Sequence, residues 1–410
     1  MWVRVTPYDD LNISFIGYGM ENKTEITNDI LNTGRILTEA LKHQLKGEVY
    51  SFPEDTDFSK LHRLAERHKV TSLVAQSVVK CDFAPSQIKS VFQKEAFRCA
   101  ARYAAQEKEM QELSVVFSEA EIKHCFLKGT KVARFYDDPD MRFMLDMDVY
   151  VEPGKFSEAE KILADRGYEL NNFEDEKDKG LVKKPFLNIE LHKELKYDYD
   201  KGYDYYKGAF QRMESSDGGY SLNMTNEDFY VYILSHTAHH FESAGTGIKS
   251  IVDHYYLKNR LKPLCDEDKL NSELEKIGLL VFSSKMDQMA DYWFSDKETT
   301  EDMKETADFI ILSGVFGNEV NYYLSGVIKG DYGEKKSSYF LRRLFLPYRL
   351  MKDRYPVLKK LPFLLPLLWV VRFFASISKS KEISEEMKTV NAVAPDKKDS
   401  HVDFMKKHGL

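Results

Sequence analysis

The fold is decided by Met141-Arg142-Phe143-Met144-Leu145-Asp146-Met147-Asp148-Val149-Tyr150-Val151, read with Phe126-Leu127-Lys128-Gly129-Thr130 before it. The alternation from 145 to 151 predicts a strand. Leu145, Met147, Val149 and Val151 would take one face, and Asp146 and Asp148 the other. Two carboxylates side by side repel each other, and a chain keeps such a pair most readily where a cation sits between them. Upstream, His124 to Leu127 reads as a short buried strand, and Lys128-Gly129-Thr130 as a turn into a helix over Lys131 to Tyr136. A glycine turn at a helix start is an anion site. The stretch thus sets a phosphate cradle beside a divalent-metal site, the pairing that phosphoryl chemistry requires.

Beyond this stretch, Pro153-Gly154 makes a turn, and Phe156, Ala159, Ile162 and Leu163 form the inward stripe of a helix over Lys155 to Arg166. Gly167 stands at its C-terminal cap position. Tyr168 to Leu170 starts another strand, Asn171 to Gly180 reads as a charged hairpin loop, and Leu181 to Phe186 pairs back. In Leu187-Asn188-Ile189-Glu190-Leu191-His192, Ile189 and Leu191 face one way, Glu190 and His192 the other. Glu190 would be a third carboxylate beside Asp146 and Asp148.

The flanks are helical. Before the strands, Thr27 to Lys46, Phe58 to Val79 and Ser86 to Ala120 carry apolar residues at helical spacing. After them, Thr225 and Asn226 cap a helix from Glu227 to about Glu242, and more helices follow Gly245-Thr246-Gly247. Five regions are expected: a leader outside the fold at 1–20, a helical region at 21–105, an α/β core at 106–215, a helical region at 216–377, and a charged, disordered tail at 378–410. Met20 is followed by polar residues that read as a natural beginning, so the leader is expected to contribute nothing.

The 410 residues are 43% hydrophobic and 30% charged, ordinary for a globular protein, and the net charge of −7 gives no general pull to nucleic acid. No basic run with interleaved aromatics marks a nucleic-acid groove. Cys81, Cys99, Cys125 and Cys265 are dispersed with no CxxC pair, which fits free thiols in a reducing cytoplasm. Residues 361–377 are strongly apolar, but Pro362, Pro366 and Arg372 interrupt them. They read as a packed helix or partner surface, with membrane-surface contact as the alternative.

The ordered set Phe126-Leu127-Lys128-Gly129-Thr130, Tyr136-Asp137-Asp138-Pro139, Arg142, Asp146-Met147-Asp148 and Ile189-Glu190-Leu191-His192 resembles the uncharacterised bacterial nucleotidyltransferase family of the polymerase-β-like superfamily. His236 and His240 with Gly247 and Asp253 look like its paired-histidine helix and following segment. Arg354-Tyr355-Pro356 and Leu364-Leu365-Pro366 look like its C-terminal signature. Gly129 and Thr130 lie seventeen and sixteen residues before Asp146, a longer interval than polymerase-β-like enzymes usually show, so the loop at 137–140 is extra.

The resemblance implies an α+β fold: a small mixed-sheet nucleotidyltransferase palm flanked by helical N- and C-terminal regions. It implies transfer of a nucleoside monophosphate from a nucleoside triphosphate, with release of pyrophosphate. Asp146, Asp148 and Glu190 would be catalytic and hold two Mg2+ ions, or Mn2+, and Lys128, Gly129, Thr130, Arg142 and His192 would contact the nucleotide. The acceptor is left open among a small molecule, a saccharide precursor, a protein and an RNA end. The other reading is a degenerate member that binds nucleotide or a partner without turnover. His236 and His240 share a helix face without a zinc motif and read as hydrogen-bonding residues that line the site or brace Asp253, with His239 turned to solvent.

Overall fold

The computed structural model describes residues 20–174, 178–195, 202–215, 218–296, 301–315, 317, 319–328, 345–346, 348, 351, 355, 357–377 and 396–410. The expected leader before Met20 and the stretch 378–395 lie outside them.

Helices α1 (Met20–Leu45), α2 (Phe58–Arg67), α3 (Thr71–Lys80) and α4 (Ser86–Glu119) come first. Asp57 caps α2 by accepting from the amides of Ser59 and Lys60. At 34 residues α4 is about 50 Å long, and it runs without a break through residue 105. Strand β1 (His124–Phe126) and helix α5 (Lys128–Ala133) lead to β2 (Met147–Val151). Helix α6 (Phe156–Asp165) then crosses over to β3 (Glu169–Glu174), β4 (Asp178–Lys183) and β5 (Leu187–His192). The strands form one sheet in the order β1-β2-β5-β4-β3, in which only β2 and β5 are parallel. This is the mixed sheet of an α+β protein.

One sheet face is apolar. Met147, Val149, Val151, Leu181, Ile189 and Leu191 pack on Met110, Leu113 and Phe117 of α4 and on Phe156, Ala159 and Leu163 of α6. Alternation puts the next residues on the opposite face, and there the second half of the chain covers them. It opens with two short helices, α7 (Tyr203–Lys207) and α8 (Ala209–Arg212), and Tyr150 packs edge-on against Phe210 of α8 at 4.9 Å. Helices α9 (Asn226–Ser243), α10 (Ile248–Tyr256), α11 (Glu267–Lys276), α12 (Leu280–Phe294) and α13 (Glu301–Ser313) share one core with α1 to α3, in which Leu37, Leu61 and Val74 are buried with Phe241, Phe282 and Ile310. The helices before and after the sheet therefore close over it together.

Four expectations need correction. The alternating strand begins at Met147, and Leu145 is 45% exposed instead of facing the core. The ladder with β1 ends where Leu127 N donates to Asp148 O at 2.9 Å, because the chain then turns away into α5. That helix begins at Lys128, three residues before the expected start, since Gly129 has no Cβ and can lie against the Asp146 carbonyl and the Met144 sulfur. The segment expected as a hairpin loop is mostly strand: β3 continues to Glu174 and β4 begins at Asp178. The tail expected to be disordered contains a helix, Asp396–Lys407. Its mean polarity hides Phe404 and Met405, which are buried in the main core, with the Phe404 ring 4.7 Å from Phe309.

Candidate active site

Backbone register builds the site. β2 and β5 run parallel with Asp148 opposite Glu190 and Tyr150 opposite His192, while β4 sets Asp178 opposite His192 and Gly180 opposite Glu190. Paired residues point to one face, so Asp148, Glu190, His192 and Asp178 converge. One ligand atom each from Asp148, Glu190 and His192 lies within 4.8 Å of the others. Asp146 stands just before β2, where its charge acts on Glu190. Two of the three expected acids thus join the tight cluster, His192 completes it, and Asp146 borders it. A side chain at Gly180 would collide with the Asn171 amide, 2.6 Å from the Cβ position. The absence of a side chain at Gly180 leaves room there for the Asn171 side chain of β3.

The acids occupy two electrostatic environments. Asp148 is 3% exposed. Lys128 Nζ donates to its Oδ1 at 2.7 Å, and His192 Nε2 lies 3.1 Å from the same oxygen. Burial alone would raise the Asp148 pKa, but Lys128 and His192 outweigh it and hold the carboxyl well below the usual range. Burial opposes charge on His192 too. Asp178, 2.6 Å from Nδ1, and Asp148 outweigh it and push the imidazole up to about 10. His192 is therefore an imidazolium bridging two carboxylates. In this state it steadies Asp148 as a donor, because a ligating histidine must be neutral. Lys128 is likewise held charged: burial opposes, and Asp148, Tyr232 and Glu190 more than offset it. Its φ of +28° is a strained value for a residue with a side chain.

Glu190 and Asp146 have weaker support: His192 Nε2 lies 3.9 Å from Glu190 Oε2, and the Lys128 charge reaches both acids without offsetting burial and their acidic neighbours. Burial, then Asp146 and Asp148, push Glu190 up to about 8, and burial and Asp148 raise Asp146. Both are therefore harder to ionise than an ordinary carboxyl. The Glu190 side chain is 35% exposed, so the cluster opens to solvent on this side. Such a site suits a divalent cation: oxygen donors dominate, and a cation would offset the mutual repulsion of the acids. The residues present fit Mg2+ or Mn2+.

The other expected nucleotide contacts are placed differently. The Thr130 hydroxyl is buried 3.1 Å from the Met110 sulfur. Arg142 is no free phosphate contact of the kind expected. Its guanidinium grips Asp253 of α10 through Nε–Oδ1 at 2.6 Å and Nη2–Oδ2 at 2.8 Å, and gives Nη1 to Gly129 O at 3.0 Å. It ties the chain before Asp146 to the start of α5. Tyr136 and Lys249 also donate to Asp253, at 2.6 and 3.0 Å. Bracing of Asp253, expected from His236 and His240, thus comes at least from these three. His236 and His240 face each other across one turn of α9, Nε2 to Nε2 at 3.2 Å. His239, expected to be solvated, is half-buried, with its ring 5.8 Å from that of His240. The extra loop is held down by an Asp137–Arg260 ion pair and by Tyr136 stacked on Tyr256 at 4.2 Å.

Sequence reading misses Asp178, Tyr232 and Lys249. Asp178 falls in what reads as a loop, and only strand register sets it beside His192. Tyr232 lies within α9, and nothing local reveals its influence on Lys128. Lys249 follows Gly247 by two residues, and Asp146 acts on its charge. A lysine one turn before Asp253 is a usable signal.

A family model described as an uncharacterised nucleotidyltransferase matches residues 54–295, a span that runs from just before α2 through α12 and contains every site residue named above. Among curated proteins, none matches the chain.

Proposed function

Because the chain belongs to the uncharacterised nucleotidyltransferase family, we propose that it transfers a nucleoside monophosphate from a nucleoside triphosphate to an acceptor hydroxyl or similar group and releases pyrophosphate. The observation that carries this reading is the register of Asp148 with Glu190 on adjacent parallel strands, with Asp146 at the mouth. A structural sheet has no need of three neighbouring carboxylates, two of them with pKa values raised by burial and by one another.

In this reading Asp146, Asp148 and Glu190 hold divalent cations, which supply charge neutralisation at the α-phosphate and the leaving pyrophosphate. Lys128 meets the triphosphate, since its ammonium already stands at the cluster, and backbone groups of Gly129 and Thr130 border the same place. Glu190, the most basic acid of the site, takes the proton of the acceptor as it attacks. His192 keeps Asp148 ionised and oriented, with Asp178 fixing the ring. Arg142 positions α5 and does not touch phosphate.

Binding without turnover is the second reading. It is favoured by the internal engagement of Arg142 and Thr130. Incubating the protein with each labelled triphosphate, Mg2+ or Mn2+, and small-molecule, saccharide, protein and RNA acceptors separates the two. Pyrophosphate release with label on an acceptor supports transfer. Tight triphosphate binding without release across the panel supports the second reading.

A further inference from the structure

No helix among the described residues is long and apolar enough to cross a membrane. One near the C-terminus is nonetheless turned inside out. The helix Leu365–Ile377 buries Arg372 and exposes Leu367, Val370, Val371 and Phe373, and Phe363 one turn earlier is 73% exposed. Phe363, Leu367, Val370 and Val371 follow the i, i+4, i+7, i+8 spacing of one helix face. Trp369 is anchored on another side, with its indole N–H donating to Leu346 O at 2.8 Å. An exposed apolar stripe opposite an inward arginine marks a surface built to meet something apolar.

Charge identifies the occupant. Residues 335–381 hold twelve lysines and arginines against one acid, Asp353, a net +11 in a chain of net −7. At 13 residues the helix is about 20 Å long, too short for a bilayer core of about 30 Å. We propose that this segment docks the protein on an anionic phospholipid surface, with the apolar stripe at the acyl boundary and flanking basic residues at the headgroups. A second copy fits poorly, since two segments of +11 would be brought face to face. Nucleic acid would leave the aliphatic stripe in water. The inference is independent of nucleotidyl transfer, because it uses no residue of the acidic cluster.

The test is co-sedimentation of the full chain with phosphatidylcholine vesicles, alone or with about one third phosphatidylglycerol. Binding is expected only to the anionic vesicles and should weaken as salt rises from about 0.1 to about 0.5 M. Leu367→Asp with Val370→Asp should lower vesicle binding about tenfold or more, with an unchanged urea-unfolding midpoint as a control for folding. Lys359→Glu with Lys360→Glu should lower it in parallel. The proposal is overturned by failure to bind anionic vesicles, or by binding indifferent to both pairs. It is also overturned by a dimer in sedimentation velocity that the aspartates disperse, or by an RNA oligonucleotide that outcompetes the vesicles.

Discussion

Arg142 and Asp253, 111 residues apart, form a buried two-point ion pair that fastens the chain before Asp146 to helix α10. The pair holds in place the turn from which Lys128 and Asp146 enter the site, since Arg142 also donates to Gly129 O. Burial alone would lower the pKa of an isolated arginine. Here Asp253 overcomes that cost and raises the guanidinium further above its usual range. Asp253→Asn strands the buried charges of Arg142 and Lys249 and should cost about 3 kcal/mol or more in urea unfolding, whereas Arg142→Met leaves Asp253 its Lys249 and Tyr136 partners and should cost less. The double variant Arg142→Met/Asp253→Asn should cost clearly less than the sum of the singles. Additive losses would show that the two do not act as a unit.

Asp146 and Asp148 should respond oppositely to loss of charge. Asp148→Asn leaves Lys128 and His192 without their common partner and should destabilise the metal-free protein by about 2 kcal/mol or more. Asp146→Asn removes a repulsive neighbour of Glu190 and should leave that stability unchanged or about 1 kcal/mol higher. Both should abolish Mg2+-dependent triphosphate binding in calorimetry. Equal stability effects would contradict the electrostatic division of the site, and retained Mg2+ affinity in both would contradict the metal assignment.

Glu190 gives the site its pH dependence. Its folded pKa of about 8 lies above the ordinary 4.5. Between those values the folded protein keeps a proton that the unfolded chain has lost, so this group makes metal-free stability fall as pH rises from about 4.5 to about 8. A cation must displace the proton, so Mg2+ affinity should rise over the upper part of that window, with proton release near pH 7 visible as calorimetric heats that depend on the buffer. Glu190→Gln should flatten the rise and lower turnover more than triphosphate binding. A profile unchanged by Glu190→Gln would assign the proton elsewhere.

The C-terminal helix should matter to stability. Phe404 is buried among Phe241, Phe309 and His408. Phe404→Ala should cost about 3–4 kcal/mol by leaving a cavity, and deletion of residues 396–410 should cost at least as much. Wild-type stability in the deletion would refute the packing of this helix on the main core.

Local rules suffice for β2, β5, the main helices on either side of the sheet and the acids, but not for the ends of β3 and β4 or for the helix Asp396–Lys407. Period-two alternation at 147–151 and 187–192 marks strands because a pleated chain sends neighbours to opposite faces. The same rule places Glu190 and His192 together on one face from their spacing alone. The spacing in α1 to α4, the Thr225 cap and the positive φ of Gly167 follow from equally local rules. What each charge does emerges only when distant segments meet. Arg142 looks like a phosphate ligand until Asp253 arrives from 111 residues away, and Asp178 looks like a loop acid until β4 pairs with β5. The face that a side chain takes depends on neighbouring dihedrals, so it is written locally. Its ionisation and partner depend on burial and on charges brought near by chain folding, and these have no local signature.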